Sequence, residues 1–184
     1  MSRKLLVVFD LELTCWERGE YGDRVPEVIE IGAVKLDILS GQIVSTFSTL
    51  VKPRMNPVLS EYCTNLTGIK QTDLKGVGQF PEAYAQFMNW VGTHHKHVLV
   101  AWGRDWDDLT RDCKLHEIPI RHTHETMNAN TLFNLKYPRV GLDKALNLLG
   151  QTFEGRRHRA LDDAQATANV LLEVFNVNSP STLL

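Results

Sequence analysis

Three short segments carry side chains whose types and spacing could do chemistry together. The first is Phe9-Asp10-Leu11-Glu12, closing an apolar run over residues 5–9. Residues i and i+2 of a strand point to one face, so Asp10 and Glu12 project together. Two neighbouring carboxylates repel, and each is costly to strip of water. A divalent cation offsets both costs, and hard oxygen donors suit Mg²⁺ or Mn²⁺. Taken alone, the pair fits equally well as a solvated strand end with two unrelated acids. The second segment is His158-Arg159-Ala160-Leu161-Asp162-Asp163. Asp162 and Asp163 fall at the start of a helix, where acids suit the helix dipole. Capping accounts less well for a histidine five residues earlier in an arginine-rich loop. Histidine is the side chain whose unperturbed pKa lies near neutrality, so it can take a proton from water. The third segment, Ala101-Trp102-Gly103-Arg104-Asp105-Trp106-Asp107-Asp108-Leu109, again puts acids between a strand end and a helix start. An N-cap with an acidic first turn is its plain explanation.

The elements that must position these groups follow from periodicity. Residues 4–13 form a β-prone run, as in a strand buried on both faces. Residues 17–26, with Gly19, Gly22 and Pro26, read as a loop. Val28–Asp37 and residues 42–51 are strands joined by a Ser40-Gly41 turn, so the chain opens as an antiparallel meander. Pro53 and Pro57 end the strand run, and from Ser60 the period lengthens toward helix. Residues 81–91 are helical, with Pro81 in the first turn and Tyr84, Phe87, Met88 and Val91 on one face. A short strand at 98–102 precedes a helix starting near Asp105. A further helix at 142–149 is closed by Gly150. The last, 162–175, has Ala164, Ala168, Leu171, Leu172 and Phe175 in one stripe. The expected class is α/β, a mixed sheet with helices on both faces. One domain over 1–176 with a frayed tail at 177–184 is the expected organisation.

Composition narrows the function classes. The chain has 184 residues, with 20 Lys and Arg against 22 Asp and Glu, for a formal charge of −2. That near balance gives no support to a non-specific DNA coat or a membrane-surface protein, although a local basic rim could still bind nucleic acid. No apolar run approaches the ~20 residues that span a bilayer. Asp10 and Glu12 spoil the N-terminal stretch as a signal peptide. Cys15, Cys63 and Cys113 are odd in number and widely spaced, so no disulfide framework is expected, and a reducing cytoplasm is the expected setting. The tract His94-His95-Lys96-His97 and the pair His122 and His124 lack zinc-finger spacing. Gly76-Val77-Gly78 lacks the third glycine of a dinucleotide loop.

Together the three acidic segments resemble the DEDDh branch of the DnaQ-like 3′→5′ exonucleases, which have an RNase H-like fold with a mixed sheet of about five strands. The resemblance covers roughly residues 4–175. Asp10-x-Glu12 is similar to that family's first motif, and His158-x4-Asp163 to its third. Glu27-Val-Ile-Glu-Ile-Gly-Ala-Val34 and Cys63-Thr-Asn-Leu-Thr-Gly-Ile69 resemble the Eri-type subgroup, the histone-mRNA and small-RNA 3′ exonucleases and their bacterial relatives. The middle motif leaves two candidates. Asp105 puts Leu109 and Cys113 at +4 and +8, as in the relatives. Asp107 instead has an aromatic, Trp106, just before it, which many relatives also carry.

The resemblance implies two-metal phosphodiester hydrolysis that releases nucleoside 5′-monophosphates. It implies Asp10, Glu12, Asp105 and Asp163 as the shell of two Mg²⁺ or Mn²⁺ ions, with Glu12 also near the terminal 3′-hydroxyl and His158 as general base. It implies that backbone near Leu13 and Thr14 holds the terminal nucleoside, and that Leu66 and Thr67 lie against the last base; a plain helix C-cap at Gly68 explains the latter segment equally well. Arg156, Arg157 and Arg159 could grip phosphates. The implied partner is RNA or a single-stranded nucleic-acid 3′ end. A DNA repair or proofreading exonuclease and a catalytically silent nucleic-acid-binding module are the alternatives. Binding alone gives no reason to cluster uncompensated acids near phosphate.

Overall fold

A computed structural model describes residues 5–92, 97–120 and 124–175. Five strands form one sheet: β1 (Leu5–Leu13), β2 (Val28–Asp37), β3 (Gln42–Leu50), β4 (Val98–Ala101) and β5 (Glu125–Asn128), in the order β3-β2-β1-β4-β5. β1, β2 and β3 make the expected antiparallel meander, whereas β4 and β5 run parallel to β1 and to each other. The helices are α1 (Glu61–Thr67), α2 (Phe80–Val91), α3 (Asp105–Leu115), α4 (Ala129–Phe133), α5 (Leu142–Leu148) and α6 (Ala160–Val174). Residues 176–184, with the expected frayed tail, lie outside the described residues, as do His94, His95 and His122.

β1 is the central strand, and its alternation divides the core. Val7, Phe9 and Leu11 face α2 and α3, packing with Phe80, Phe87 and Leu109. Leu6 and Val8 face α6, packing with Ala168, Leu171 and Leu172. Asp10 and Glu12 continue this second face, so the strand period places both acids under the start of α6. α6 begins at Ala160, two residues before the position expected from its apolar stripe, and this keeps Asp162 and Asp163 within its first turn.

A glycine permits the close approach of α6. Gly32 lies opposite Asp10 in the β1–β2 register. A Cβ there would sit 2.1 Å from the Ala160 carbonyl carbon and the Leu161 nitrogen. The helix backbone therefore rests directly on the sheet, and Ala160, Ala164 and Ala168, all fully buried, extend that contact along α6.

β5 and α4 were not visible in the periodicity. β5 is a four-residue edge strand that is mostly exposed, so it has no apolar alternation to detect. α4 follows it without a break. Asn128 caps that helix by accepting a hydrogen bond from the Thr131 amide at 2.9 Å, and its side-chain amide donates to the Gly103 carbonyl at 2.7 Å. Asn128 thereby ties the edge to the loop that leads into α3.

Candidate active site

Asp10 and Glu12 from β1 meet Asp163 from α6, and one carboxylate oxygen of each lies within 4.8 Å of the others. Among the described residues, no other three His, Cys, Asp or Glu side chains converge so closely. Crowding and burial show in their titration. The Asp10 carboxyl is held well above its usual range, first by burial and then by Asp105, Glu12, Asp163 and Glu30. Glu12 is pushed from 4.5 to about 8, again by burial, then by Asp163, Glu30 and Asp105. Asp163 rises from 3.8 to about 6, burial being the main cause, although the His158 and Arg159 backbone amides pull the other way. Every charged neighbour that shifts Asp10 is an acid. The donor set is all oxygen, desolvated and short of positive charge, and it fits hard divalent cations.

Asp105 completes the acidic group from the far side of β1. Its Oδ1 accepts a hydrogen bond from the Leu11 amide at 3.2 Å, and its Oδ2 accepts from Gly103 at 3.3 Å. The first bond anchors the first turn of α3 on the strand between Asp10 and Glu12, and the second closes the loop before α3. Asp107 is turned away, 64% exposed and paired with Arg104 at 3.2 Å. Of the two candidates in the middle segment, Asp105 is the one whose field reaches Asp10 and Glu12. The +4 and +8 spacing agrees, because Leu109 and Cys113 are both buried.

His158 sits in the exposed turn before α6 with φ of 60°, in the left-handed region. Backbone held there by a non-glycine residue stores strain, a common feature of functional sites. The turn borders a cleft lined by His158, Asp163, Arg157, Asp143, Lys144 and Arg139, so basic groups frame one side of the acidic pocket.

Glu30 supports this turn, and sequence reasoning missed its role. Glu30 lies opposite Glu12 in the β1–β2 register and is 1% exposed. Its carboxylate takes three bonds from Arg159, at 3.0 and 3.3 Å from Nε and 2.8 Å from Nη2, and a fourth from the Ala160 amide at 3.1 Å. Arg159 is therefore paired with Glu30, with its side chain still 37% exposed. Arg157 pairs with Asp143 at 2.8 Å, and Arg156 lies over Gly68 at the end of α1. The available signal was Glu30 itself, an acid set between Ile29 and Ile31 in the buried start of β2. Glu27 acts elsewhere: its carboxylate accepts from the amides of Arg54, Met55 and Asn56 and fixes the chain after β3.

The positions expected to hold the substrate divide into two kinds. Leu13 and Leu66 are half-buried at the surface. The Thr14 and Thr67 side chains point inward. Thr14 Oγ1 accepts from the Glu27 amide at 2.9 Å, and Thr67 Oγ1 donates to the Cys63 carbonyl at 2.9 Å while accepting from Ile69 at 3.1 Å. The Thr67 hydroxyl closes α1, whose end is the Gly68 cap with φ of 72°.

The family model described as exonuclease, RNase_T, matches residues 7–171, nearly the full span of the described fold. The chain belongs to this exonuclease family. ERI1 exoribonuclease 2 of Xenopus laevis is 31% identical over 198 residues, covering 90% of this chain and 27% of that protein. The 3′-5′ exoribonuclease 1 of Rattus norvegicus is 30% identical over 183 residues, covering 92% of this chain and 52% of that protein. The chain thus spans between a quarter and a half of these curated relatives. Among solved structures, the nuclease domain of 3′hExo, a DEDDh family member bound to rAMP, superposes with a TM-score of 0.87 at 28% identity, over 95% of this chain and 92% of that one. A 3′-exonuclease solved with the histone mRNA stem-loop gives 0.85 at 27% identity, over 96% and 83%. The RNase_T chain described here shares the RNase H-like fold of these DEDDh enzymes, a five-stranded mixed sheet flanked by helices.

Proposed function

We propose that this RNase_T chain is a 3′→5′ exoribonuclease that uses two Mg²⁺ or Mn²⁺ ions and releases nucleoside 5′-monophosphates. The convergence of Asp10, Glu12 and Asp163 within 4.8 Å, beside the His158 turn, carries this reading. The RNA preference is supported by the activities for which the exoribonuclease relatives are named and by the rAMP-bound neighbour.

Asp10, Glu12 and Asp163 would hold the ions, with Asp105 behind them. Bound there, the ions would neutralise the acids and polarise the phosphodiester for in-line displacement. The remaining work belongs to this chain's own side chains. His158, at the mouth of the pocket, takes the proton of the attacking water, so its imidazole must be neutral when the reaction starts. Glu30 and Arg159 fix the backbone on the α6 side of that imidazole. Glu12 faces the terminal 3′-hydroxyl. The backbone of Leu13 and Thr14 and the half-exposed Leu66 border the terminal nucleoside. Residues 1–176 would act as one exonuclease domain.

The test is turnover of 5′-labelled single-stranded RNA and DNA with Mg²⁺ or Mn²⁺, against an EDTA control and Asp10→Asn. Stepwise shortening of RNA from the 3′ end is expected, faster than for DNA. Asp10→Asn should lower it about a thousandfold, because several kcal/mol of transition-state charge stabilisation are lost. Tight binding of RNA without shortening would sink the proposal, and faster shortening of DNA would overturn the RNA preference.

A further inference from the structure

Cys15 and Cys63 are 48 positions apart in the chain, yet the fold brings them together. Both belong to one apolar cluster with Ile29, Leu59, Ile69 and Leu74. Three hydrogen bonds hold the pair in place. Ser60, the cap of α1, bridges the Cys15 carbonyl to the Cys63 amide. The Cys63 thiol also reaches the Leu13 carbonyl at 3.6 Å. Cys63 is fully buried, whereas Cys15 is partly open to solvent. Cys113, the third thiol, lies in a different core cluster.

We infer that Cys15 and Cys63 form a thiol-oxidation site, in which a hydroperoxide converts the pair into a reversible disulfide joining the end of β1 to α1. The reaction balances as two steps. The Cys15 sulfur takes an oxygen atom from the hydroperoxide. The O–O bond breaks, and sulfenic acid and water (or alcohol) form. The Cys63 sulfur then attacks the Cys15 sulfur. The S–S bond forms, the S–O bond breaks, and the departing oxygen leaves as water with the Cys63 proton. Two electrons and two protons leave the thiols and reduce the hydroperoxide. Each thiol shifts the other, lowering Cys63 and raising Cys15, so Cys63 is the attacking sulfur of the second step, while Cys15, the one open to solvent, meets the hydroperoxide.

The location gives the bond a consequence. Cys15 follows Leu13 and Thr14 directly, and Cys63 is one helical turn before Leu66. Oxidation removes the contact from Cys63 to the Leu13 carbonyl and draws the two walls of the proposed 3′-end pocket together. This effect rests on the exonuclease reading; the disulfide itself does not.

The experiment treats the reduced full chain with hydrogen peroxide, maps peptides under non-reducing conditions, and measures RNA hydrolysis before and after. A Cys15–Cys63 linked peptide is expected, lighter than its reduced parts by two hydrogens, with KM raised at least about fivefold, the low end of ordinary site-to-site coupling. Dithiothreitol should restore KM, and Cys15→Ser should show neither change relative to its own untreated state. Oxidation that stops at unlinked sulfenic or sulfinic acid overturns the site, and a linked protein with unchanged KM overturns the effect on the pocket. A linked peptide in a chain that never hydrolyses nucleic acid supports the site and sinks the nuclease reading instead.

Discussion

Glu30 makes no contact with a reacting group, yet four hydrogen bonds from Arg159 and Ala160 end on its carboxylate. Glu30→Gln keeps the shape and loses the charge that pairs with Arg159. Partners that orient ligands from behind typically contribute 10–100-fold, so kcat should fall about that much while KM for RNA stays within about twofold. A KM rise with unchanged kcat would show that Glu30 acts on binding instead. The two candidates of the middle segment separate in the same assay. Asp105→Asn removes a carboxylate that anchors α3 and whose charge reaches Asp10 and Glu12, and activity should fall by about a hundredfold. Asp107→Asn breaks one exposed pair with Arg104, of the kind worth ~0–1 kcal/mol, and turnover should stay close to that of the parent.

The path of α6 depends on Gly32. Any side chain there meets helix backbone at 2.1 Å, and backbone cannot swing aside as a flexible side chain could. Gly32→Ala should therefore destabilise the fold by about 2–4 kcal/mol, through overpacking rather than through φ, and lower activity because Asp163 and His158 travel with the helix start. Urea denaturation checks the first part, and an unchanged midpoint would contradict it. At this scale the sequence was most legible where periodicity was strong. Asp10 and Glu12 could be placed on one face because β1 is a long apolar strand, and α6 was found from its alanine-leucine stripe. What stayed hidden was short or relational. β5 has four residues and little burial, so it carries no pattern. Spacing does not reveal that the Thr67 hydroxyl closes its own helix. The Cys15–Cys63 pairing and the Glu30–Arg159 clamp, 129 positions apart, exist only once the chain is folded.

Across the whole molecule, the acids make stability depend on pH and on metal. Glu12 and Asp163 hold protons more tightly in the folded, metal-free chain than in the unfolded one, rising to about 8 and about 6. Their contribution is then fully present below the unfolded values and is lost as pH climbs through those two points. Chemical denaturation in EDTA should show falling stability between about pH 4 and about pH 8 from these groups, and Glu12→Gln should flatten the slope. Saturating Mg²⁺ or Mn²⁺ should raise the melting temperature more at the alkaline end, since ligands must shed protons before they bind. An equal rise at both ends would show that Glu12 and Asp163 do not give up protons on binding. The closeness of α6 to the sheet has one more result. Gly32 and the alanines of α6 do no chemistry, but their small size fixes how far Asp163 stands from β1. The calibre of the acidic pocket, and so the radius of the ion that seats there, is gauged by the smallest residues in the fold.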